Sequence, residues 1–476
     1  MKKEESAGKK LLDSLSFEPK SAWDRMDSDE KRQAFDLAEG YKAFLTAAKT
    51  EREANTWLLA EAEKFGFRPA DQVSGRLSPG TRICFDNRGR SAALVVVGQQ
   101  PPSQGFRLVG SHIDSPRLDL KPRPLYEDSG LALLKTHYYG GIKKYQWPVL
   151  PLALHGVVVL ASGEKRQICI GEAAEDPVFC VTDLLPHLAY DQMEKKAKEA
   201  VSGEALNVVV GNLPYPEEEG VKERVKLAIL KLLKDTYGFS EEDFISAEIE
   251  VVPAGTARDV GFDRSMIGSY GQDDRVSAYT SLAALLKVNQ PQKTAICLFT
   301  DKEEVGSMGN TGARSRFLEN VVAELVYREG YNPVDLGIRK ALSRAEAISA
   351  DVNAALDPSY QEASDKRNSA LLGYGLNVTK YTGGRGKSGS SEASAEFTAA
   401  IRDLLNRHNI PWQPGELGKV DEGGGGTIAQ FLADLGMEVI DAGVPVLSMH
   451  APFEVTSKAD VYAAYRAYKV FWEPEK

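Results

Sequence analysis

The chain has few cysteines, and they form no recognisable pattern. Four occur in 476 residues, at Cys84, Cys169, Cys180 and Cys297. None is separated from another by two residues, and they lie far apart in the sequence. The sequence therefore predicts neither a disulfide framework nor a cysteine-based zinc site.

An excess of basic residues and a long apolar run are also absent. The formal net charge is −10, whereas phosphate binding needs a basic surface, so no nucleic-acid partner is expected. No stretch reaches the roughly 18 apolar residues of a membrane span. The first 16 residues are charged and have no apolar core, so no secretory signal is predicted. A cytoplasmic location is the default expectation.

The elements that the sequence does predict alternate between helix and strand. At 476 residues the chain is too long for one compact core. Helical spacing over residues 27–65 precedes predicted strands at 81–85, 91–97 and 106–110. After residue 255, strands and helices alternate to the end of the chain. This pattern is typical of an α/β fold with a largely parallel sheet.

The middle of the chain has a different texture. Between residues 122 and 253, short β-like pieces accompany helix-like stretches at 189–200 and 221–237. We interpret this part as an inserted domain. The expected division is 1–121 and 254–476 for the two parts of the main domain, with 122–253 between them.

The most informative stretch is a buried strand, residues 294–300, that ends in Asp301-Lys302-Glu303-Glu304. Two adjacent carboxylates after a buried strand are costly unless a cation or a proton offsets their repulsion. Adjacent side chains point in different directions, so one glutamate could hold a metal while the other handles a proton. The residues alone leave these two roles interchangeable. The alternative is an ordinary solvated turn.

Other predicted elements deliver histidines and carboxylates in the same way, and in open α/β sheets the functional crevice lies at the carboxyl ends of the strands. Taken singly, each residue has an ordinary explanation: a satisfied polar histidine, a turn cap, or the acidic start of a helix. The residues are His112 with Asp114, Asp351 and His450 after strands, and Asp273-Asp274 before a helix.

Together these residues provide what a two-metal hydrolytic site requires. Two imidazoles, three carboxylates and a spare glutamate are suitable ligands and a proton acceptor. Metals in such sites lie about 3.5–4 Å apart, so one carboxylate must bridge them.

The ordered set of segments resembles the aspartyl aminopeptidase and vacuolar aminopeptidase I family, in its bacterial branch. The resemblance extends from about residue 30 to about residue 470. The segments that carry it are Gly110-Ser111-His112-Ile113-Asp114-Ser115-Pro116, Asp273-Asp274, Asp301-Lys302-Glu303-Glu304-Val305-Gly306-Ser307, Ser349-Ala350-Asp351 and Ser448-Met449-His450.

The resemblance assigns a role to each residue of the site. It implies two metal ions per subunit, zinc by default, with manganese or cobalt as alternatives. Glu303 would be the general base, and Asp114 would orient the ring of His112. The implied terminal ligands and the bridge are His112, Glu304, Asp351 and His450, with Asp273 between the two ions.

The resemblance also implies an architecture and an assembly. The fold would be a phosphorylase/hydrolase-like proteolytic domain with a mostly parallel sheet, interrupted by a β-rich dimerisation domain at residues 122–253. Subunits would form a dodecamer built from dimers. A histidine of a neighbouring subunit completes the site in this family, and His187 is the candidate here. The second histidine of the eukaryotic pattern is missing, and Asp191 lies nearby.

The substrate contacts are predicted from two loops. Lys380 would meet an acidic substrate side chain, although its loop, residues 380–390, is longer and richer in glycine than in aspartyl aminopeptidases. Gly424 and Gly425 belong to a segment that resembles the substrate loop before a helix. Gly386-Lys387-Ser388 is similar to the end of a phosphate-binding loop, but Tyr381 stands where its first glycine is required.

We therefore predict a metallo-aminopeptidase that removes N-terminal residues, acidic ones foremost, from peptides by a water that two metals activate, with Glu303 as base. The alternatives within the class are a dinuclear aminopeptidase of neutral or broad specificity and a carboxypeptidase. The alternative outside it is a non-catalytic assembly protein of the same fold. Every expected ligand is present, which speaks against the last.

Overall fold

The computed structural model describes residues 6–217 and 220–473, so the outer ends of the predicted segments 1–121 and 254–476 lie outside the described residues. The α-helices are α1 (Ala7–Leu15), α2 (Ala22–Arg25), α3 (Ser28–Ala47), α4 (Glu51–Lys64), α5 (Tyr190–Met193), α6 (Ala197–Ala200), α7 (Arg224–Tyr237), α8 (Gln272–Leu285), α9 (Phe317–Glu329), α10 (Val334–Ser343), α11 (Ala395–Arg407), α12 (Ala429–Asp434) and α13 (Lys458–Trp472).

The strands form three sheets. They are β1 (Arg68–Pro69), β2 (Arg82–Asn87), β3 (Ser91–Val96), β4 (Phe106–His112), β5 (Arg117–Asp128), β6 (Leu131–Tyr139), β7 (Leu152–Val159), β8 (Lys165–Ile170), β9 (Cys180–Val181), β10 (Val208–Gly211), β11 (Ala247–Pro253), β12 (Arg258–Val260), β13 (Met266–Ser269), β14 (Thr294–Thr300), β15 (Glu346–Ser349), β16 (Asn353–Ala354), β17 (Leu376–Thr379), β18 (Trp412–Pro414), β19 (Glu438–Gly443), β20 (Pro445–Leu447) and β21 (Glu454–Ser457).

The central sheet has nine strands in the order β1-β2-β3-β14-β4-β15-β19-β17-β18. The run β14-β4-β15-β19 in its middle is parallel throughout. Antiparallel pairs occur only towards the sides, at β2–β3, β3–β14 and β19–β17, within the described part of the sheet. The predicted α/β class with a mostly parallel sheet is confirmed.

Helices cover both faces of the central sheet because its strands are apolar on both sides. In β14, Cys297 and Phe299 belong to a core with α3, α4, α8 and α13, whereas Ile296 and Leu298 belong to a second core with α9, α10 and α12. The helical pattern over 27–65 divides into α3 and α4. A capping box begins each of the two helices, at Asp27 and at Thr50.

A second sheet contains only antiparallel pairs among the described strands, in the order β8-β7-β11-β5-β6-β10-β9. It takes residues from 117 to 253 and has its own core around Trp147 and Phe244. Strand β5 crosses the expected boundary between residues 121 and 122, and the division into three segments stays a prediction.

One predicted helix is wrong. Residues 189–200 form two four-residue helices, α5 and α6, with an extended residue, Lys196, between them. Most of these side chains are exposed. Since a short helix depends on burying an apolar face, this stretch has no packing to keep one helix continuous.

A third, five-stranded sheet has the order β12-β13-β21-β20-β16. Two of its strands continue from the carboxyl ends of central strands, β16 after β15 and β20 after β19. Within the described part of the chain, every helix is either too short or too polar to cross a bilayer.

Candidate active site

Polar side chains gather where the central parallel strands end. Strand β4 ends at His112, β14 is followed by Asp301 and a short 3-10 turn that begins at Glu303, and β15 is followed two residues later by Asp351. Because β14, β4 and β15 are parallel neighbours, these residues meet at one edge of the sheet.

Two further residues reach this edge from the side of the third sheet. Asp273 lies in the first turn of α8, just after β13, and its peptide bond to Asp274 is cis. His450 follows β20, which pairs with β21. The side chain of Asp273 contacts His112, and that of His450 contacts Asp273.

The carboxylate of Asp273 lies between the two imidazoles. Its Oδ1 is 3.0 Å from Nε2 of His112, and its Oδ2 is 3.1 Å from Nε2 of His450. Each imidazole also has a second carboxylate at greater distance. Asp351 Oδ1 is 3.9 Å from His112 Nε2, and Glu304 Oε2 is 3.5 Å from His450 Nε2.

The other ring nitrogens identify which tautomer each histidine adopts. Nδ1 of His112 lies 3.0 Å from the carbonyl oxygen of Asp114, and Nδ1 of His450 lies 2.9 Å from that of Gly141. A carbonyl oxygen only accepts hydrogen bonds, so each Nδ1 carries the proton. In a neutral ring, Nε2 then points a lone pair at a carboxylate oxygen of Asp273. That contact requires a cation or an additional proton.

The electrostatics of the site lead to the same requirement. Burial raises the pKa of Glu304 well above its usual range, and Asp273 adds to this shift. Burial also raises the pKa of Asp351, to which Glu303 adds. Burial alone would raise the pKa of Asp273, but hydrogen bonds with His112 and His450 hold it well below its usual range. The cluster contains more carboxyl groups than two protonated histidines can neutralise. It therefore needs a cation or additional protons.

The donor set fits zinc. Within the described part of the chain, Glu304 Oε1 and Asp274 Oδ1 are buried and have no hydrogen-bond partner. Potential ligand atoms form two groups, and within each group they lie no more than 4.8 Å apart. One group is His112, Asp273 and Glu304, and the other is His112, Asp274 and Asp351. Imidazole nitrogens with carboxylate oxygens are usual zinc ligands. The structure thus adds Asp274, which the sequence analysis had noted without a role.

The site opens into a cavity of about 690 Å³. Its lining combines the acidic cluster, a glycine-rich loop at residues 423–426, and cationic side chains from neighbouring loops. The lining residues that bear on the chemistry are Asp273, Glu303, Glu304, Asp351, His450, Gly424, Gly425, Arg385, Lys387 and Lys419. A substrate in this cavity would contact both the cluster and the cations.

The family model described as aminopeptidase I zinc metalloprotease (M18) matches residues 44–472. The chain belongs to this M18 family. A probable M18 family aminopeptidase 1 of Clostridium acetobutylicum is 50% identical over 461 residues, which are 96% of this chain and 98% of that protein. The crystal structure of an M18 aminopeptidase from Thermotoga maritima is 44% identical, with a TM-score of 0.93 over 97% of this chain and all of that one.

Membership in the M18 family confirms the predicted class of enzyme, a metallo-aminopeptidase. M18 structures have a protease domain and a separate β-rich dimerisation domain. A more distant neighbour, the yeast mApe1 dodecamer, is 19% identical with a TM-score of 0.74 over 92% of this chain and 96% of that one, and it shows a shared fold.

In this M18 protein, the two adjacent glutamates occupy different places. The side chain of Glu304 is 4% exposed and faces His450. Both glutamates line the cavity, but in the described part of the chain only Glu304 belongs to a group of potential ligand atoms, with His112 and Asp273. Burial raises the pKa of Glu303 to about 7, a value suited to a group that takes and returns a proton near neutral pH. The difference in position follows from their adjacency on one turn.

Asp114 connects these glutamates to His112. Its Oδ1 accepts from the backbone N–H of Glu303 at 3.1 Å, and its Oδ2 accepts from that of Glu304 at 3.2 Å. Its Oδ1 is also 3.4 Å from Nδ1 of His112. The fully buried carboxylate therefore positions the histidine and the turn together.

Three residues of the M18 site were missed by the sequence analysis. Tyr139 donates a hydrogen bond to Asp114 Oδ2 at 2.8 Å, and Gly141 offers its carbonyl to His450. Both come from the end of β6 in the second sheet. Gly141 tolerates this approach because a Cβ there would lie 3.2 Å from the ring of His450. The Gly140-Gly141 pair was the available signal.

Glu454 is the third missed residue. It is buried in β21, where its Oε1 accepts from the backbone N–H of His450 at 2.7 Å. Its Oε2 accepts hydrogen bonds from the backbone N–H of Asp273 at 3.1 Å and from that of Gln272 at 2.6 Å. One carboxylate thus positions the backbones of two candidate ligands. A lone acidic residue in a short strand gave no sign of this role in the sequence.

The predicted substrate contacts lie in three different places. Gly424 and Gly425 line the main cavity. Lys380 lines a neighbouring cavity of about 250 Å³, and its Nζ is 3.9 Å from Glu392. His187 lies in an exposed 3-10 turn of the second sheet's domain, away from the lining of the described cavity.

Proposed function

We propose that this protein is a dinuclear zinc aminopeptidase that removes N-terminal residues, acidic ones foremost, from peptides. The observation that carries the proposal is the position of Asp273, whose two carboxylate oxygens each face a histidine Nε2. A carboxylate in this position suits a bridge between two ions. His112 with Asp351 would hold one ion, and His450 with Glu304 would hold the other.

When bound, the two ions supply Lewis acidity, which polarises the scissile carbonyl and acidifies water. The donor set, rich in carboxylates, would also accept manganese or cobalt. The protein's part is to keep the ligands in place, which the contacts of Asp114 and Glu454 support.

Glu303 performs the proton transfer in this proposal. Its carboxylate takes a proton from the attacking water and later gives it to the leaving amine. Glu303 lines the cavity, its pKa is raised to about 7, and it lies outside the groups of potential ligand atoms found among the described residues, all of which supports this role. Glu304 is almost fully buried beside His450, which suits a ligand better than a mobile base.

The preference for acidic residues rests on the cations of the loop at residues 380–390. Arg385 and Lys387 line the main cavity, and Lys419 does so from another loop. Lys387 is already paired with Glu392 at 3.0 Å and lies 3.9 Å from the ring of Tyr381. We propose Arg385 as the contact for an acidic side chain, with Lys380 at the start of the same loop as a second cation.

A preference for neutral residues is the second candidate specificity. The same cavity is also lined by Leu417, Val420, Phe431 and Met449. These side chains would accommodate an apolar N-terminal residue. Whether acidic or neutral N-terminal residues are preferred depends on which part of the lining, the cations or the apolar side chains, contacts the N-terminal side chain of the substrate.

Assembly of dimers into a dodecamer is part of the proposal. Around His187 the segment exposes a dense group of large apolar side chains, which is typical of an interaction surface. They are Leu184, Leu185, Leu188, Tyr190 and Met193, all at least half exposed. The dodecameric yeast mApe1 shares the fold. We propose that His187 reaches the cavity of a neighbouring subunit.

A panel of chromogenic aminoacyl substrates tests the proposed reaction. We expect the zinc-loaded protein to cleave the acidic members fastest, to leave N-blocked peptides intact and to lose activity in a chelator. Faster cleavage of neutral members would favour the second specificity. Cleavage of blocked peptides at their free C-termini, or no cleavage of any member, would refute an aminopeptidase.

A further inference from the structure

A group of potential metal ligands outside the active site lies where α4 meets the second sheet. His155 in β7 and Cys169 in β8 are directly paired across the two strands, so their side chains share one face. Glu53 reaches them from the first turn of α4. Ligand atoms of these three residues lie within 4.8 Å of one another. Over the described ranges, the other two such groups both contain His112.

The buried ring of His155 has a carboxylate at each nitrogen. Its Nδ1 is 2.8 Å from Oε1 of Glu53, and its Nε2 is 3.1 Å from Oε1 of Glu172. Without a metal, an imidazolium would donate one N–H to each carboxylate. A metal ion at one of the two nitrogens would take the place of its proton and would keep a positive charge next to the carboxylate.

The charges around His155 leave room for a cation. Lys49 is buried, and its Nζ donates to Glu172 at 2.6 Å and to the carbonyls of Pro253 and Gly255 at 2.7 Å each. Two carboxylates, those of Glu53 and Glu172, are thus balanced by the ammonium of Lys49 and an imidazolium at His155. A divalent ion that replaces one proton of His155 and the thiol proton of Cys169 keeps this balance, because two positive charges replace two protons.

We propose that Cys169, His155 and Glu53 hold a zinc ion at a second, non-catalytic site. A thiolate, an imidazole and a carboxylate are zinc ligands, and the thiolate selects zinc over magnesium or calcium. Cys169 is exposed, which gives the ion a path of entry and a coordination position for water. The ion would fasten α4 of the main domain to the second sheet.

Cobalt(II) tests this site on the full-length protein, because a cobalt–thiolate bond has a charge-transfer absorption that nitrogen and oxygen ligands lack. The candidate ligands of the active site are histidines and carboxylates, so they contribute no such band. We expect the band in the wild-type protein. In C169S the band should disappear, and one cobalt ion fewer should bind per chain. C169A serves as a second variant, and the melting temperature of both without metal checks their fold.

C180S is the matched control. Cys180 lies in β9 of the same sheet and outside the group, so this variant should keep the band and the cobalt count. No band in the wild type, a band that survives in C169S and C169A, or equal counts in all proteins would overturn the proposal. Turnover of aminoacyl substrates does not enter the readout, so the proposed aminopeptidase reaction stands or falls separately.

Discussion

At the scale of single residues, the site includes a buried carboxylate, Asp114, that lies outside the groups of potential ligand atoms in the described part of the chain. Asp114 receives a hydrogen bond from Tyr139 and two from the turn that carries Glu303 and Glu304. Burial and the nearby Asp114 raise the pKa of Tyr139 far above its usual range, so the hydroxyl remains a donor. The ring of Tyr139 also packs 3.8 Å from the guanidinium of Arg117. Tyr139 is thus a positioning residue contributed by the second sheet.

Replacing Tyr139 with Phe removes this hydrogen bond and keeps the ring. Loss of a hydrogen bond that orients the residues around a metal site typically lowers metal affinity or activity about 10–100-fold. We expect a decrease of that size in metal affinity or kcat/KM for Y139F. Competition with a chelating dye measures the metal affinity, and kcat/KM is followed in parallel. Y138F, at the exposed neighbour, should behave as wild type. An unchanged metal affinity and kcat/KM in Y139F would contradict the role given to its hydroxyl.

The sequence indicated the residues that carry the chemistry better than the residues that position them. His112, Asp273, Asp351 and His450 stand at strand or helix ends, where the chain pattern makes a functional side chain visible, and the structure brings them together. Tyr139 and Glu454 also stand at strand ends, but neither lies in a segment with other candidate ligands. Tyr139 contacts Asp114, 25 positions away, and Glu454 contacts Asp273, 181 positions away, so no local spacing encodes their roles.

At the scale of elements, the glycine-rich loop before α12 contains two glycines with different constraints. Gly424 has φ +108°, and a Cβ there would lie 1.8 Å from the carbonyl oxygen of Gly383. Gly425 is free of this strain, and a Cβ would meet only Leu417 at 3.7 Å. The absence of a side chain at Gly424 therefore allows this loop to pack closely against the loop at residues 380–390.

G424A should separate the two loops and raise KM for aminoacyl substrates by about 10-fold or more, since small displacements at a substrate site are costly. G425A, a change of the same size in the same loop, should alter KM much less. Steady-state kinetics on both variants make the comparison. Equal effects, or a larger effect of G425A, would show that the close approach at Gly424 does not matter.

The junction of α4 with β5 and β11 contains a buried ionic cluster. Arg117 lies 3.5 Å from Glu51 and 3.1 Å from Glu250. Burial alone would raise the pKa of Glu51, but Arg117 lowers it to about 2. Burial raises the pKa of Glu250 well above its usual range, and Glu51 adds to the shift. Glu51 is therefore an ionised partner of Arg117, together with Asp119 at 2.8 Å. Glu250 is the carboxyl of this cluster that binds a proton more readily than Glu51.

E51Q and E250Q should therefore differ in stability. Removing one partner of a buried ion pair costs up to about 3–5 kcal/mol. Asp119 still pairs with Arg117 in E51Q, so this variant should lower the free energy of unfolding at pH 7 by up to that amount. In E250Q the amide imitates the protonated acid, so the change should be small. Denaturant titrations compare both variants with the wild type. A large loss in E250Q and none in E51Q would reverse our assignment of the proton.

The pH dependence follows the same assignment. The pKa of Glu51 is lower in the folded protein, so its contribution is present above about pH 4.5 and is lost as the pH falls towards 2. The pKa of Glu250 is raised, so its contribution is lost as the pH rises above its unfolded value. E51Q should flatten the acid side of the stability profile, and E250Q the alkaline side.

Elements of the main domain were predictable because they are long or strongly periodic. The helix and strand alternation after residue 255 matches α8, β14, β15, α11, α12, β19, β20 and α13. Strand β5 was missed because Pro122, Pro124 and a bulge between Leu120 and Leu125 break its two-residue alternation. The prediction of one helix over 189–200 was wrong because this segment has no apolar face packed against another element.

At the scale of the whole molecule, three sheets contribute to one site. The central sheet supplies His112, Asp351 and the glutamates, the third sheet supplies His450 and Glu454, and the second supplies Tyr139 and Gly141. An M18 subunit can hold this arrangement only if the second sheet is docked on the main domain. The proposed assembly would add His187 from a neighbour.

H187A tests the contribution of the neighbouring subunit. His187 is exposed and absent from the lining of the cavity described in its own subunit. An effect on activity therefore requires contact with another subunit. We expect a fall in kcat/KM of about 10-fold or more, equivalent to one hydrogen bond to a charged group, with unchanged metal content. D191A, in the same exposed segment, should retain activity. Full activity of H187A in the assembled protein would contradict the proposal.

The most direct test of the central claim compares Glu303→Gln with Glu304→Gln, both in the C169S background so that only active-site metal is counted. Zinc per chain and kcat are measured on each purified protein. We expect E303Q to keep two zinc ions and to lose about 10²–10⁴-fold in kcat, the range of general acid–base catalysis. E304Q should lose zinc. Loss of zinc from E303Q, or full turnover by it, would contradict the division of roles between the two glutamates.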